Sequence, residues 1–184
     1  MKKALLIIDV QNDYFPCGKC ELYNSEITLN AIKNLLKHFR EKNLPVFYVQ
    51  HISNEHSAFF VPETDGVSIH KDIAPLKAEK VIVKHYPNSF YETSLQSELR
   101  KSGVTDLVIC GMMTHMCIDT TVRAAKEYGY KITLISDACA TKDLEWNGVN
   151  ISAQTVQNVF MASLYQKFAC ITTISEFLDN SEKN

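Results

Sequence analysis

A carboxylate, an amine and a thiol stand at Asp9, Lys84 and Cys117. Each lies at or just beyond the end of a short apolar run that reads as a buried β-strand: residues 3–8, residues 80–84, and Leu107-Val-Ile-Cys110 closed by Gly111. A cysteine attacks a carbonyl carbon as its thiolate, a neighbouring carboxylate can take the proton, and a lysine can steady that carboxylate and draw the thiol pKa down. The chemistry these three suit together is acyl transfer, hydrolysis of an amide through a thioester. Backbone N–H groups around Met113 and Cys117 would receive the developing oxyanion, an effect worth about 2.7–4 kcal/mol per donor. Taken singly, each residue has a plainer role, since cysteine is among the most buried residue types and a lysine at a strand end is ordinarily solvated. What joins them is a shared place at the carboxyl edge of a sheet, where open α/β folds bind ligands.

The elements that must position these groups follow along the chain. Residues 25–42 read as an amphipathic helix with Ile27, Ala31, Ile32, Leu35, Leu36 and Phe39 inward. Pro45 leads into a strand over Val46–His51, whose end delivers Gln50 and His51 to the same rim. Residues 52–79 form a connection long enough to act as a lid or pocket wall. After the 80–84 strand, Thr93 caps a helix with Leu95 and Leu99 inward. Thr114 reads as the N-cap of the helix that carries Cys117, with Ile118, Val122, Ala125 and Gly129 spaced to pack on the sheet. A strand over 131–135, a helix from about Gly148 to Tyr165, a last strand at 169–172 and a docking segment with Ile174, Phe177 and Leu178 complete the pattern. Six strands alternating with helices predict one α/β domain over 1–184, a three-layer doubly wound sheet of mostly parallel strands with helices on both faces.

Composition excludes several classes. The 184 residues, 46% hydrophobic and 22% charged with a formal net charge of -2, describe a globular chain with no basic stripe for nucleic acid and no polybasic patch for a membrane. No apolar run reaches transmembrane length, and Asp9 interrupts the N-terminal one. A cytoplasmic protein is expected, with its six cysteines reduced. The polar and aromatic loop after Asp9 is neither a P-loop nor a dinucleotide fingerprint, so no cofactor is expected. Cys17-Gly-Lys-Cys20 has redox spacing but lies in a loop without a second pair. His51, His56 and His70 match no standard metal-ligand spacing, and no metal is expected.

Over nearly its whole length the sequence also resembles the isochorismatase-like cysteine hydrolases, which include nicotinamidases and N-carbamoylsarcosine amidohydrolases. The blocks that carry the resemblance are Ala4-Leu-Leu-Ile-Ile-Asp9-Val-Gln-Asn-Asp13-Tyr-Phe15, Tyr48-Val-Gln-His51, Val83-Lys84 with Ser89-Phe90, Gly111-Met-Met-Thr-His-Met-Cys117 and Ser136-Asp137-Ala138. The resemblance implies an Asp9, Lys84, Cys117 triad and a non-proline cis peptide between Met112 and Met113 that turns the Met113 N–H into an oxyanion hole beside that of Cys117. It implies a small amide, ureido or carbamoyl substrate, with Gln11, Phe15 and His51 as pocket walls, and a homodimer or homotetramer. Where nicotinamidases carry the aspartate of a metal-binding Asp-x-His, this chain has Val49 before Gln50-His51, which favours the metal-free branch. A metal-dependent amidase and a catalytically inactive binding subunit are the alternatives.

Overall fold

The computed structural model describes residues 2–182. In chain order its elements are β1 (Lys3–Ile8), α1 (Ser25–Glu41), β2 (Val46–His51), β3 (Lys80–Lys84), α2 (Leu95–Lys101), β4 (Asp106–Met112), α3 (Asp119–Glu127), β5 (Lys131–Ala140), β6 (Leu144–Trp146), β7 (Val149–Ile151), α4 (Ala153–Leu164), β8 (Cys170–Thr172) and α5 (Ile174–Glu182). Six strands form one sheet in the order β3-β2-β1-β4-β5-β8, every neighbouring pair parallel. The architecture is α/β with helices on both faces. From β1 the chain winds outward through β2 to β3, then returns to the far side of β1 to lay down β4. That reversal opens a crevice at the carboxyl ends of β1 and β4.

Both faces of the central strands β1, β2 and β4 are buried, which explains why their sequences are continuously apolar rather than alternating, whereas edge strand β3 leaves Val81 and Val83 exposed. On one face Leu5, Ile7, Val108 and Cys110 pack with Leu29, Ile32, Leu35 and Phe39 of α1 and Phe177 of α5. On the other, Ala4, Leu6, Ile8, Leu107 and Ile109 meet Leu95 and Leu99 of α2, Ile118, Val122 and Ala125 around α3, and Met161 and Leu164 of α4.

Four local expectations change. Ile27 is 66% exposed and Leu29 takes the inward place on α1, because the helix is turned to seat Leu29, Ile32, Leu36 and Phe39 together. Strand β5 does not end at Ile135 but runs to Ala140 along β4, so the Ser136-Asp137-Ala138-Cys139 segment is strand. Residues 144–151 form an antiparallel hairpin, and α4 starts at Ala153 rather than near Gly148. Ser152 caps α4 by accepting a hydrogen bond from the Thr155 N–H. Finally, Thr114 does not cap the helix that carries Cys117. Residues Thr114–Ile118 form a π turn, with the Ile118 N–H bonded to the Met113 carbonyl, before α3 begins at Asp119.

Gly111 controls the approach to that turn. Its φ of 129° is closed to other residues, and a Cβ there would lie 2.0 Å from the Ile8 carbonyl oxygen. The β4–β5 register shifts between Ile109 and Gly111, a bulge beside the site of the kind that re-aims a chain. Gly111→Ala is therefore expected to cost roughly 3 kcal/mol, read as a lowered urea midpoint.

Candidate active site

Asp9 leaves the end of β1 in a left-handed conformation, φ 52°, with its N–H held by the Val49 carbonyl at 3.0 Å. Lys84 is the last residue of β3 and pairs in register with His51 at the end of β2. Its side chain passes this neighbour to reach the crevice, and Cys117 enters from the π turn after β4. Asp9, Lys84 and Cys117 are 0%, 1% and 5% exposed. The Met112–Met113 peptide bond is cis, and the Met113 carbonyl accepts hydrogen bonds from the N–H groups of Met116 and Ile118.

Lys84 Nζ is the hub. It donates to His51 Nδ1 at 2.9 Å, to the Tyr86 carbonyl at 3.1 Å and to Cys117 Sγ at 3.1 Å, which accounts for its three N–H groups. Asp9 Oδ2 lies 2.7 Å from the same nitrogen, but neither Asp9 oxygen has a well-aligned donor. The contact is an ion pair, and the same carboxylate also interacts with the Cys117 thiol. Burial alone would lower the Lys84 ammonium; Asp9 and Cys117 outweigh it and hold the group above its ordinary value.

The thiol departs from the sequence expectation. Burial, reinforced by Asp9, pushes Cys117 well above the ordinary thiol range, and Lys84 only partly opposes this. The resting group is a thiol facing a carboxylate, not a preformed thiolate. Burial, followed by the nearby Lys84 charge, lowers His51 to about 4, so its ring is neutral and free to accept at Nδ1.

Donor atoms of Asp9, His51 and Cys117 lie within 4.8 Å of one another. The Lys84 ammonium lies among these groups, 2.7 Å from Asp9 Oδ2, 2.9 Å from His51 Nδ1 and 3.1 Å from Cys117 Sγ. The other histidines do not converge: His56 is exposed, and His70 lies against Phe15 with the rings tilted by 49° while its Nδ1 accepts from the Asp72 N–H.

Of the expected pocket residues, Gln11 has other contacts and Phe15 borders a separate cleft. Gln11 is fully buried; its amide donates to the His51 and Val67 carbonyls and accepts from the His51 N–H at 2.7–2.8 Å. With no free polar atom aimed at a ligand, it ties the β1 loop to β2 and the 52–79 connection. Phe15, 4% exposed, borders a 650 Å³ cleft with Asn12, Cys17, His70 and Lys71, a cleft that no triad residue lines. His51 borders a 420 Å³ cavity with Ile52, Ser53, Asn54, Ser57, His85 and Tyr86, which likewise has no triad residue in its lining. Cys17 and Cys20 are free thiols in the loop.

Several supporting residues escaped sequence reasoning. The single Thr114 hydroxyl proton has Gln157 Oε1 at 2.6 Å as its nearer acceptor, with the Ala140 carbonyl 3.2 Å from the same oxygen, while Gln157 Nε2 donates to the Ser136 carbonyl at 2.9 Å. This anchors the π turn to β5 and α4. Ser89 and Thr121, both buried, join at 2.8 Å and tie the segment after Lys84 to α3. Asp13 accepts from the Phe60 N–H at 2.7 Å and the Lys19 N–H at 3.1 Å, and Gly66 packs so closely that a Cβ would lie 2.2 Å from Asp13 Oδ1. The Tyr86 carbonyl had no side-chain signal to find; polar residues on α4 gave only the general signal of an amide on an inward face.

A buried carboxylate, ammonium and thiol thus converge at the switch point of a parallel α/β sheet. Residues 3–176 match the isochorismatase domain family. YddQ, an uncharacterized isochorismatase family protein of Bacillus subtilis (strain 168), is 50% identical over 179 residues, covering 97% of this chain and 99% of that one. A streptothricin hydrolase of Streptomyces noursei is 32% identical over 142 residues, 77% of this chain and 56% of that one. Among solved structures, a protein described as an isochorismatase hydrolase from Oleispira antarctica superposes with a TM-score of 0.94 at 40% identity, covering 97% of this chain and 96% of that one. The chain belongs to the isochorismatase family and is a hydrolase.

Removing one partner of a buried ion pair costs about 3–5 kcal/mol, and Lys84→Met should lower the urea midpoint accordingly, with Asp9→Asn in the same chain restoring part of the loss. A second expectation concerns acid. The His51 value of about 4 in the folded state lies below the roughly 6.5 of an unfolded chain, so the unfolded chain binds the additional proton between these values. Stability should fall as pH drops through that window, and the Tm difference between the native protein and His51→Asn should narrow as it does.

Proposed function

We propose that this chain is a cysteine-dependent amidohydrolase that cleaves a small amide, ureido or carbamoyl compound through a thioester. The observation that carries this reading is the simultaneous contact of Lys84 Nζ with Asp9 Oδ2 at 2.7 Å and Cys117 Sγ at 3.1 Å in a buried crevice. The thiol and carboxylate are neighbours, so Asp9 takes the Cys117 proton as sulfur attacks the acyl carbon, and Lys84 stabilises the thiolate character that develops. The carbonyl electron pair moves onto oxygen, which the N–H groups of Met113 and Cys117 receive. As the tetrahedral species collapses, the C–N bond breaks and Asp9 returns the proton to the leaving nitrogen. Water then attacks the thioester with Asp9 as base, and Cys117 leaves as the thiol. The products are an acid and an amine or ammonia.

The cavity beside His51 has hydroxyl, amide and imidazole side chains but no Lys, Arg, Asp or Glu among its lining residues. This suits an uncharged polar substrate group. Because the Lys84 ammonium lies among the donor atoms of Asp9, His51 and Cys117, the metal-dependent alternative has less support than the thiol mechanism.

All six cysteines are free thiols, which fits a reducing compartment, and we assign the protein to the cytoplasm. Among the described residues, no helix is long and apolar enough to cross a membrane. A homodimer or homotetramer is our reading of the assembly; the 144–151 hairpin offers Trp146 and Val149, 71% and 62% exposed, as contact residues.

The test is ammonia release from a panel of amides and ureas, with iodoacetamide labelling read by mass spectrometry. Turnover and Cys117 labelling are expected in the native protein, and Cys117→Ala should lose roughly a thousandfold or more. A fully active Cys117→Ala protein would sink the proposal.

A further inference from the structure

We propose that His51 is a positioning residue of the triad: as a neutral ring with its proton on Nε2, it accepts one Lys84 N–H at Nδ1 and thereby aims another at Cys117. The inference rests on the triad reading and adds a fourth side chain to it.

The geometry is that of a tripod. An ammonium has three N–H groups, and those of Lys84 are directed at His51 Nδ1, the Tyr86 carbonyl and Cys117 Sγ. Asp9 sits against the charge without a well-aligned hydrogen bond. Two acceptors, one side chain and one backbone carbonyl, thus set the rotation of the ammonium and determine where the third N–H points. Without an acceptor at His51 the ammonium would be free to turn toward Asp9 Oδ2, 2.7 Å away, and its hold on the sulfur would weaken.

His51 is well placed to hold still. Its backbone N–H and carbonyl are both clamped by the buried Gln11 amide, its register partner is Lys84 itself, and Phe60 lies 6.0 Å from its ring. The charged and titratable groups facing it are Lys84 from β3, Asp9 after β1, Cys117 from the π turn and His85 beyond Lys84. Lys84 and His85 oppose protonation of the ring while Asp9 favours it, and burial adds to the opposition. An imidazolium at this place would have no lone pair for Lys84 and would repel it. Neutrality is therefore a condition of the contact, and the Nε2–H tautomer follows from Nδ1 accepting.

The decisive measurement is long-range ¹H–¹⁵N correlation of the ¹⁵N-histidine-labelled protein at pH 6–7, with His51→Asn used for assignment. The expected result is one histidine, absent from the variant, with an unprotonated Nδ1 and a protonated Nε2. An Nδ1–H tautomer or an imidazolium for that histidine overturns the proposal. Two variants then separate positioning from packing through the rate of Cys117 alkylation by iodoacetamide at pH 8. His51→Asn keeps an acceptor oxygen near the Nδ1 position and should retain alkylation within about threefold, whereas His51→Leu keeps bulk but no acceptor and should slow it roughly tenfold. Equal rates in folded preparations of both variants would also overturn it. Should His51→Leu fail to fold, the tautomer alone decides. Failure of the triad reading shows differently, as unchanged alkylation in Lys84→Met and unchanged turnover in Cys117→Ala.

Discussion

The ammonium of Lys84 is a cation that has been taken out of water, 1% exposed, and every other feature of the site is a response to that. An isolated buried charge costs several kcal/mol even after relaxation. Here it is offset by one carboxylate at 2.7 Å and three hydrogen-bond acceptors at 2.9–3.1 Å. These come from the ends of β1, β2 and β3 and from the turn after β4, so four consecutive strand ends of one sheet edge must be in register before the ion is satisfied. The sheet order that places β2 between β3 and β1 makes His51 an unavoidable neighbour of the lysine side chain.

Division of labour within the crevice follows from the same arrangement. Burial, reinforced by Asp9, raises the Cys117 thiol, and Lys84 opposes this in part. In the proposed reaction Lys84 lowers the cost of charge on sulfur without taking the proton, and Asp9 takes it. The backbone is held just as firmly. The π turn is anchored to β5 and α4 through Thr114 and Gln157, and α3 to the segment after Lys84 through Ser89 and Thr121. Such supports keep reacting groups within the small tolerance that acyl transfer allows.

The 52–79 connection belongs to this design. It crosses the end of β1, where Ile69 bridges Gln11, the Asn12 N–H reaches the Ser68 carbonyl and the His70 N–H reaches the Val10 carbonyl. Its path covers the edge beside Asp9, and the buried Gln11 amide fastens it to the end of β2. A glutamine expected at the substrate thus contributes by holding the wall that excludes water.

The α/β class, most strand limits and the Asp9, Lys84 and Cys117 candidates were legible in the chain, because a strand buried on both faces must be continuously apolar and a reactive group must interrupt or end it. Ile27 was misplaced because several apolar residues on one helix allow more than one rotation, and only packing against the sheet selects among them. The π turn, the length of β5 and the 144–151 hairpin were hidden for a related reason: local propensity there is weak, and hydrogen bonds from distant segments decide. The roles of Gln11 and Phe15 could not be read either, since a polar or aromatic residue near a site has the same letter whether it faces a ligand or a carbonyl. The sequence by itself therefore determined which chemical groups end the strands. Tertiary structure alone decided which atom each group meets and that burial raises the Cys117 thiol while Lys84 partly opposes it, because charge and proton affinity depend on burial and on neighbours remote in the chain.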